Sequence, residues 1–287
     1  MISFGRVSTA MVTPFDSKEN VDFERTTQLV NYLVNNGTDS LVVAGTTGES
    51  PVLTAEEKVA LFRHTVKVAD GRVPIIAGTG SNNTRQSIDL TRKAEEAGVD
   101  AIMLVAPYYN KPNQEGLYQH FKAVAEATAL PVMIYNIPGR SSVNIEPQTV
   151  IKLSKLPNVV AVKEASGNLD AVTEIIAGTD EEFQVYSGDD SLTLPILSIG
   201  GAGIVSVASH VVGNEMQQMV SAFLEGNYKE AAKIHQQLLP LMKQLFAAPS
   251  PVPVKTALQL KGMDMGSVRL PLVPLVEAER TALQKLI

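Results

Sequence analysis

Lys163 is the residue whose type and surroundings point most directly to chemistry. It lies in the run VVAVKEA at 159–165, whose apolar and β-branched neighbours read as a strand covered on both faces. A charged amine in such a place is costly unless it is paired or has lost its proton. Desolvation disfavours the ammonium and draws its pKa from about 10.4 towards neutrality. A neutral amine is a nucleophile that forms a Schiff base with a ketone. The competing reading is a strand-end lysine whose ammonium snorkels to solvent. Other polar groups gather in short loops. GTTGES at 45–50 offers two glycines for a tight turn, with the hydroxyls and N–H groups of Thr46 and Thr47 as a cradle for a small carboxylate. PYYNKP at 107–112 carries paired tyrosines, a type found more often in packing and interfaces than in acid–base work. YNIPGRS at 135–141 ends a strand in Tyr135 and sets Arg140 in a Pro-Gly turn, where a guanidinium can grip a carboxylate with two parallel hydrogen bonds. SGDD at 187–190 supplies backbone donors or a helix cap, and GGAGIVSV at 200–207 admits a close ligand or a tight turn.

These loops make sense only if the elements between them bring them together. Short apolar strands begin near Val7, Leu41, Val73, Ala101, Pro131, Val159, Phe183 and Ala202, at spacings that fit one βα unit each. The segments between them have helical periodicity: Leu117, Phe121 and Val124 share one face, as do Met216, Met219, Val220 and Phe223. Thr54, Asn83 with Thr84, and Asn168 are start signals. Eight strand–helix repeats predict an α/β fold, a (β/α)8 TIM barrel over residues 1–225. A doubly wound sheet is disfavoured because no GxGxxG follows the first strand and the polar residues sit at many strand ends rather than one crossover. Beyond Gly226 the pattern is helical only. Ile234, Leu238, Leu241 and Leu245 form one face, a proline-rich break spans 247–255, and helices are expected near 254–261 and 275–287. Residues 226–287 therefore read as a C-terminal helical appendage. In a TIM barrel the active site occupies the carboxyl ends of the strands, where all the loops named above fall.

Composition narrows the function classes. The chain has 287 residues, 45% hydrophobic and 19% charged, as expected of a globular protein without a membrane span. A net charge of −6 and the lack of any basic run longer than two residues argue against nucleic-acid binding. The start, MISFGRVSTAMVTPF, lacks a signal-peptide pattern, and the absence of cysteine removes disulfides and thiolate metal sites. Both point to a cytoplasmic protein. The four histidines (His64, His120, His210, His235) are scattered through helices or loops and read as surface residues, with no metal site.

Over essentially its whole length the sequence resembles the pyruvate-dependent class I lyase and synthase family, and within it the dihydrodipicolinate synthase branch. GTTGES, GTGSN at 78–82, PYYNKP, YNIPGR and VVAVKEASG carry the resemblance. It implies that Lys163 condenses with pyruvate, that the imine tautomerises to an enamine, and that the enamine attacks L-aspartate 4-semialdehyde. Cyclisation then releases the lysine and gives the heterocyclic precursor of diaminopimelate and lysine. The resemblance implies roles as well. Tyr135 is the phenolic proton shuttle. Thr46 links it to a second phenol, Tyr109, which reaches the site of a neighbouring subunit in a dimer or dimer of dimers. Thr47 contacts the pyruvate carboxylate, and Arg140 receives the carboxylate of the semialdehyde. Gly188 and Val205 line the site with backbone carbonyls, Val205 standing where the family often has isoleucine. No metal or organic cofactor is implied, because the lysine imine is itself the electron sink.

Relatives inhibited by L-lysine bind it at the subunit interface. Ser50, Asn82 and Tyr108 fit that pattern, but Ala55 and Lys58 stand in place of histidines and Gln86 in place of a glutamate. The loss of one attraction and the gain of one like charge predict insensitivity to lysine. The alternatives are a sister aldolase acting on N-acetylneuraminate or a sugar acid, and a non-catalytic barrel that senses a keto acid. Arg140 speaks against the first, and the set Lys163, Tyr135, Thr46 and Tyr109 against the second, since a sensor needs no proton relay.

Overall fold

The computed structural model describes residues 3–287. Alternate residues of each strand face opposite ways, and the strands here are short enough to close on themselves. β1 (Val7–Ala10), β2 (Ser40–Val43), β3 (Ile75–Gly78) and β4 (Ala101–Val105) alternate with α1 (Phe23–Asn35), α2 (Ala55–Ala69) and α3 (Thr84–Glu96). α4 (Gln114–Ala125) leads to β5 (Val132–Asn136), which is followed by the one-turn α5 (Pro138–Ser141) and by α6 (Pro147–Leu153). β6 (Val159–Glu164), α7 (Leu169–Gly178), β7 (Gln184–Ser187), α8 (Thr193–Ser198) and β8 (Gly203–Ser206) complete the ring. All neighbours pair in parallel, and β8 returns to β1 with Ser8 opposite Val205, so the sheet is a closed barrel in chain order. The fold is the TIM barrel expected from the sequence, with each strand within about two residues of its expected start.

The barrel interior and the helix layer have separate cores. Ala10, Val42, Ile76, Met103, Met133, Ala161 and Val205 fill the interior, together with Tyr135 and Tyr186. The alternate strand residues, such as Ile102, Ile134 and Val162, face the helices. The expected helix faces behave accordingly. Leu117, Phe121, Val124, Met216, Met219 and Val220 are fully buried, and Phe223 is partly so. The start signals also do what their chemistry requires. Thr54 forms a capping box with Glu57, Asn83 accepts from Gln86 N, and Asn168 accepts from Ala171 N.

α9 (Ser209–Leu224) packs on α10 (Tyr228–Gln244), and α11 (Val252–Leu260) and α12 (Glu277–Gln284) follow. α11 starts two residues before the expected 254, since Pro253 fits in a first turn that needs no donor. This C-terminal region does not stop at the outer wall. Met265 accepts from Phe15 N–H at 3.0 Å, and Lys255 reaches Glu49 in the loop after β2.

The reading of the histidines as surface residues is wrong for two of them. His210 is fully buried, its Nδ1 bonded to the Val207 carbonyl and its Nε2 accepting from Val12 N–H. His120 is 6% exposed, with Nδ1 on the Thr84 hydroxyl. Burial pushes both down to about 4, so they are neutral packing groups. Among the described residues no group of three or more His, Asp or Glu gathers as a metal site, and no helix is long and apolar enough to cross a membrane.

Candidate active site

Lys163 shares the inward parity of Ala161 and stands near the carboxyl end of β6, opposite Tyr135 on β5 and Tyr186 on β7. It is 5% exposed, and its amine lies 4.2 Å from the centroid of the Tyr135 ring. Burial pushes Lys163 down to about 8; the nearby Asp190 carboxylate opposes that shift and the Arg140 guanidinium reinforces it. At pH 7 about one amine in ten is then neutral, against roughly one in three thousand at the ordinary lysine value. Among the described residues Lys163 takes part in no ion pair. An amine of this kind is available for addition to a carbonyl.

Tyr135 supplies the complementary group. It is 3% exposed, and burial pushes its phenol up to about 12, opposed by the neighbouring Thr46 hydroxyl and the Arg140 charge. The phenol therefore holds its proton at neutral pH, as a donor to a developing alkoxide must. Thr46 is carried by the turn after β2, which is closed by Gly48 N–H to Gly45 O at 3.1 Å and Glu49 N–H to Thr46 O at 3.1 Å. Thr13 ties the turn to the β1 end through its hydroxyl, 2.7 Å from the Gly48 carbonyl.

Arg140 sits in α5, whose first residue is Pro138. Asn136, on the outer face of β5, fixes the returning chain by donating to Asn144 Oδ1 at 2.9 Å and Glu164 Oε2 at 3.0 Å while accepting from Ile145 N–H at 3.0 Å. Glu164 is buried, which raises its carboxyl, and bonds to Asn136 and Ser166 oppose that rise. The SGDD segment caps rather than cradles. Asp189 accepts from Ser191 N–H, and the buried Asp190 accepts from Val207 and Ala208 N–H at 3.0 and 2.9 Å and from the Ser206 hydroxyl. Gly188, just before them, leaves no room for a side chain: a Cβ there would meet Ala165 Cβ at 2.7 Å and Lys163 Cε at 3.1 Å.

A cavity of about 260 Å3 opens at this end of the barrel, with Thr46, Tyr135 and Arg140 on its wall beside Ser50, Lys58 and Tyr108. Lys163 does not line it but lies against the ring of Tyr135, which does. Thr47 and Val205 are buried off the wall, at 5% and 1% exposure. Tyr109 is not brought in: it is 89% exposed, in the left-handed region at φ 73°. The sequence reading passed over Gly78, Gly80 and Ser81, which line the cavity; the motif GTGSN had marked them without giving them a role. It also passed over the partners of Glu49 and Glu164, for which no local signal exists.

A parallel barrel with a buried amine, a protonated phenol and a hydroxyl at the carboxyl ends of its strands has the parts of a Schiff-base-forming lyase. The chain belongs to the dihydrodipicolinate synthetase family, whose model matches residues 3–287. It is 67% identical to 4-hydroxy-tetrahydrodipicolinate synthase of Bacillus subtilis, an alignment covering all of this chain and 99% of that one. Among solved structures it is similar to dihydrodipicolinate synthase from Bacillus anthracis, with TM-score 0.98, 65% identity, and 100% and 98% of the two chains covered. It is also similar to the lysine-bound enzyme from Cyanidioschyzon merolae, with TM-score 0.97, 46% identity, and 99% and 97% covered.

Proposed function

We propose that this protein condenses pyruvate with L-aspartate 4-semialdehyde to 4-hydroxy-tetrahydrodipicolinate through an imine on Lys163. The carrying observation is the amine itself: buried, without an ion-pair partner among the described residues, and packed on the Tyr135 phenol in a chain of this family. The neutral amine adds to the ketone carbon of pyruvate. Tyr135 gives a proton to the forming hydroxyl, water leaves, and the imine results. Loss of a methyl proton gives the enamine, whose carbon bonds to the aldehyde carbon of the second substrate while the aldehyde oxygen takes up a proton. The amino group of that substrate then displaces Lys163 and closes the ring, returning the lysine to its free state.

The other roles follow from family likeness and position. Thr46, beside the phenol, relays its proton to Tyr109 of a second subunit. The exposure of Tyr109 on its own protomer supports that exchange, and with it a dimer or dimer of dimers. Thr47, Gly188 and Val205 hold pyruvate, and Arg140 at the cavity wall takes the carboxylate of the semialdehyde. Residues 226–287 serve as an appendage to the catalytic barrel, and the reaction runs in the cytoplasm. The test is turnover with pyruvate and aspartate semialdehyde set beside cleavage of N-acetylneuraminate. The first is expected to dominate; a reversed preference would assign the sister activity.

A further inference from the structure

Among the described residues two lysines are buried, and Lys255 is as enclosed as Lys163, at 4% and 5% exposure. Its surroundings differ. The Lys255 ammonium donates to Glu49 Oε1 at 2.7 Å and to the Ser267 carbonyl at 2.8 Å, and it lies 4.2 Å from the centroid of the Phe15 ring. The other oxygen of Glu49 accepts from the backbone N–H of Arg269 at 3.0 Å. The Arg269 guanidinium stacks over the same Phe15 ring at 4.5 Å, donates to the Val52 carbonyl at 2.9 Å, and pairs with Glu57. Both oxygens of the Glu49 carboxylate, at the end of the turn after β2, are thus gripped by one C-terminal stretch more than 200 residues later in the chain.

Glu49 is also part of that turn's backbone. It takes the left-handed conformation, φ 56°, and its N–H closes the turn on the Thr46 carbonyl at 3.1 Å. A shift of its side chain therefore moves the peptide that carries Thr46 and Thr47. A buried ion pair is a poor source of stability, because desolvation consumes much of the attraction. It does fix one geometry, since several hydrogen bonds must be met together.

We propose that Lys255 and Glu49 are positioning residues: through them the C-terminal segment holds Thr46 and Thr47 in place against Tyr135 and the pyruvate carboxylate. The inference rests on the proposed imine chemistry. The experiment compares the parent with Lys255→Met, which keeps the length of the side chain and removes its charge. Borohydride trapping by pyruvate is followed per folded site, well below the melting temperature, alongside kcat and the KM for pyruvate. The trapping rate at a fixed, subsaturating pyruvate concentration is expected to fall at least about tenfold. A role in stability alone lowers the melting temperature and leaves that rate unmoved. If Lys255→Met does not fold, Glu49→Gln is read in the same way, since its amide keeps the shape and one of the two bonds. Trapping within about twofold of the parent, or failure of both variants to fold, overturns the proposal. A parent that does not trap pyruvate at all instead sinks the imine reading, and this inference with it.

Discussion

Gly188→Ala should cripple the chemistry while touching no reacting atom. The added methyl would stand 2.7 Å from Ala165 Cβ and 3.1 and 3.2 Å from Lys163 Cε and Cγ. Relaxed carbon contacts fall near ~3.5–4.0 Å, so about 1 Å of separation must be found. The lysine stem can yield a few tenths of an ångström by rotation. Ala165 cannot, because its Cβ is fixed to the backbone just beyond β6, and moving it moves the strand end that carries Lys163. A displacement near 1 Å from productive geometry costs on the order of a hundredfold, about 2.7 kcal/mol of barrier. Overpacking also removes ~1–3 kcal/mol of stability, which leaves a protein of this size folded at 25 °C. The assay is the rate of borohydride trapping by pyruvate, with circular dichroism and a thermal melt as controls. A folded variant that traps within roughly threefold of the parent, under ~0.7 kcal/mol of barrier, would refute the reasoning.

Arg140→Ala should raise the KM for the semialdehyde and spare imine formation, at a cost of roughly 1.5–3 kcal/mol for the lost charge-assisted contact; steady-state kinetics beside trapping checks this, and loss of trapping would move Arg140 to the first substrate or the fold. Tyr109→Phe should lower turnover, and protein verified as monomeric by sedimentation should be nearly inactive, because an 89%-exposed tyrosine cannot serve its own cavity; full activity in the monomer contradicts this. L-Lysine at physiological levels should not inhibit appreciably. Lys58 lines the cavity beside Ser50 and Tyr108, while Gln86 is exposed and carries no charge. Half-inhibition in the coupled assay below about 1 mM, a binding energy near −4.1 kcal/mol, would show that the three substitutions do not disable the site.

The barrel was legible because its signals are local. Apolar runs such as SLVV and VMIYN, capped helices and a repeat of one βα unit need no knowledge of distant residues. Lys163, Tyr135, Thr46 and Arg140 were legible for a related reason: in this fold the loops and inward-facing residues at the strands' carboxyl ends share one mouth. What escaped was long-range. Glu49 stands in a motif read only for its threonines, and nothing near it announces Lys255 or Arg269. His210 was misread as a surface residue although Val207, Ala208, Val211 and Val212 flank it, a composition that favours burial. Tyr109 shows the reverse limit: a single chain holds it in the open, and only family likeness gives it a task.

The central claim is that one lysine carries the covalent chemistry, and burial alone does not choose it, since Lys163 and Lys255 are both pushed down to about 8. Geometry does: Lys255 is held by Glu49 and the Ser267 carbonyl, and Lys163 has no ion-pair partner among the described residues. The deciding measurement is borohydride reduction with pyruvate, followed by peptide mapping, from pH 6 to 10. Below its pKa the amine loses its neutral form about tenfold per pH unit. The account predicts the reduced pyruvate adduct on Lys163 alone, formed at a rate that climbs with pH and levels off above about 8. An adduct on Lys255 or any other lysine, or none at all, would contradict it.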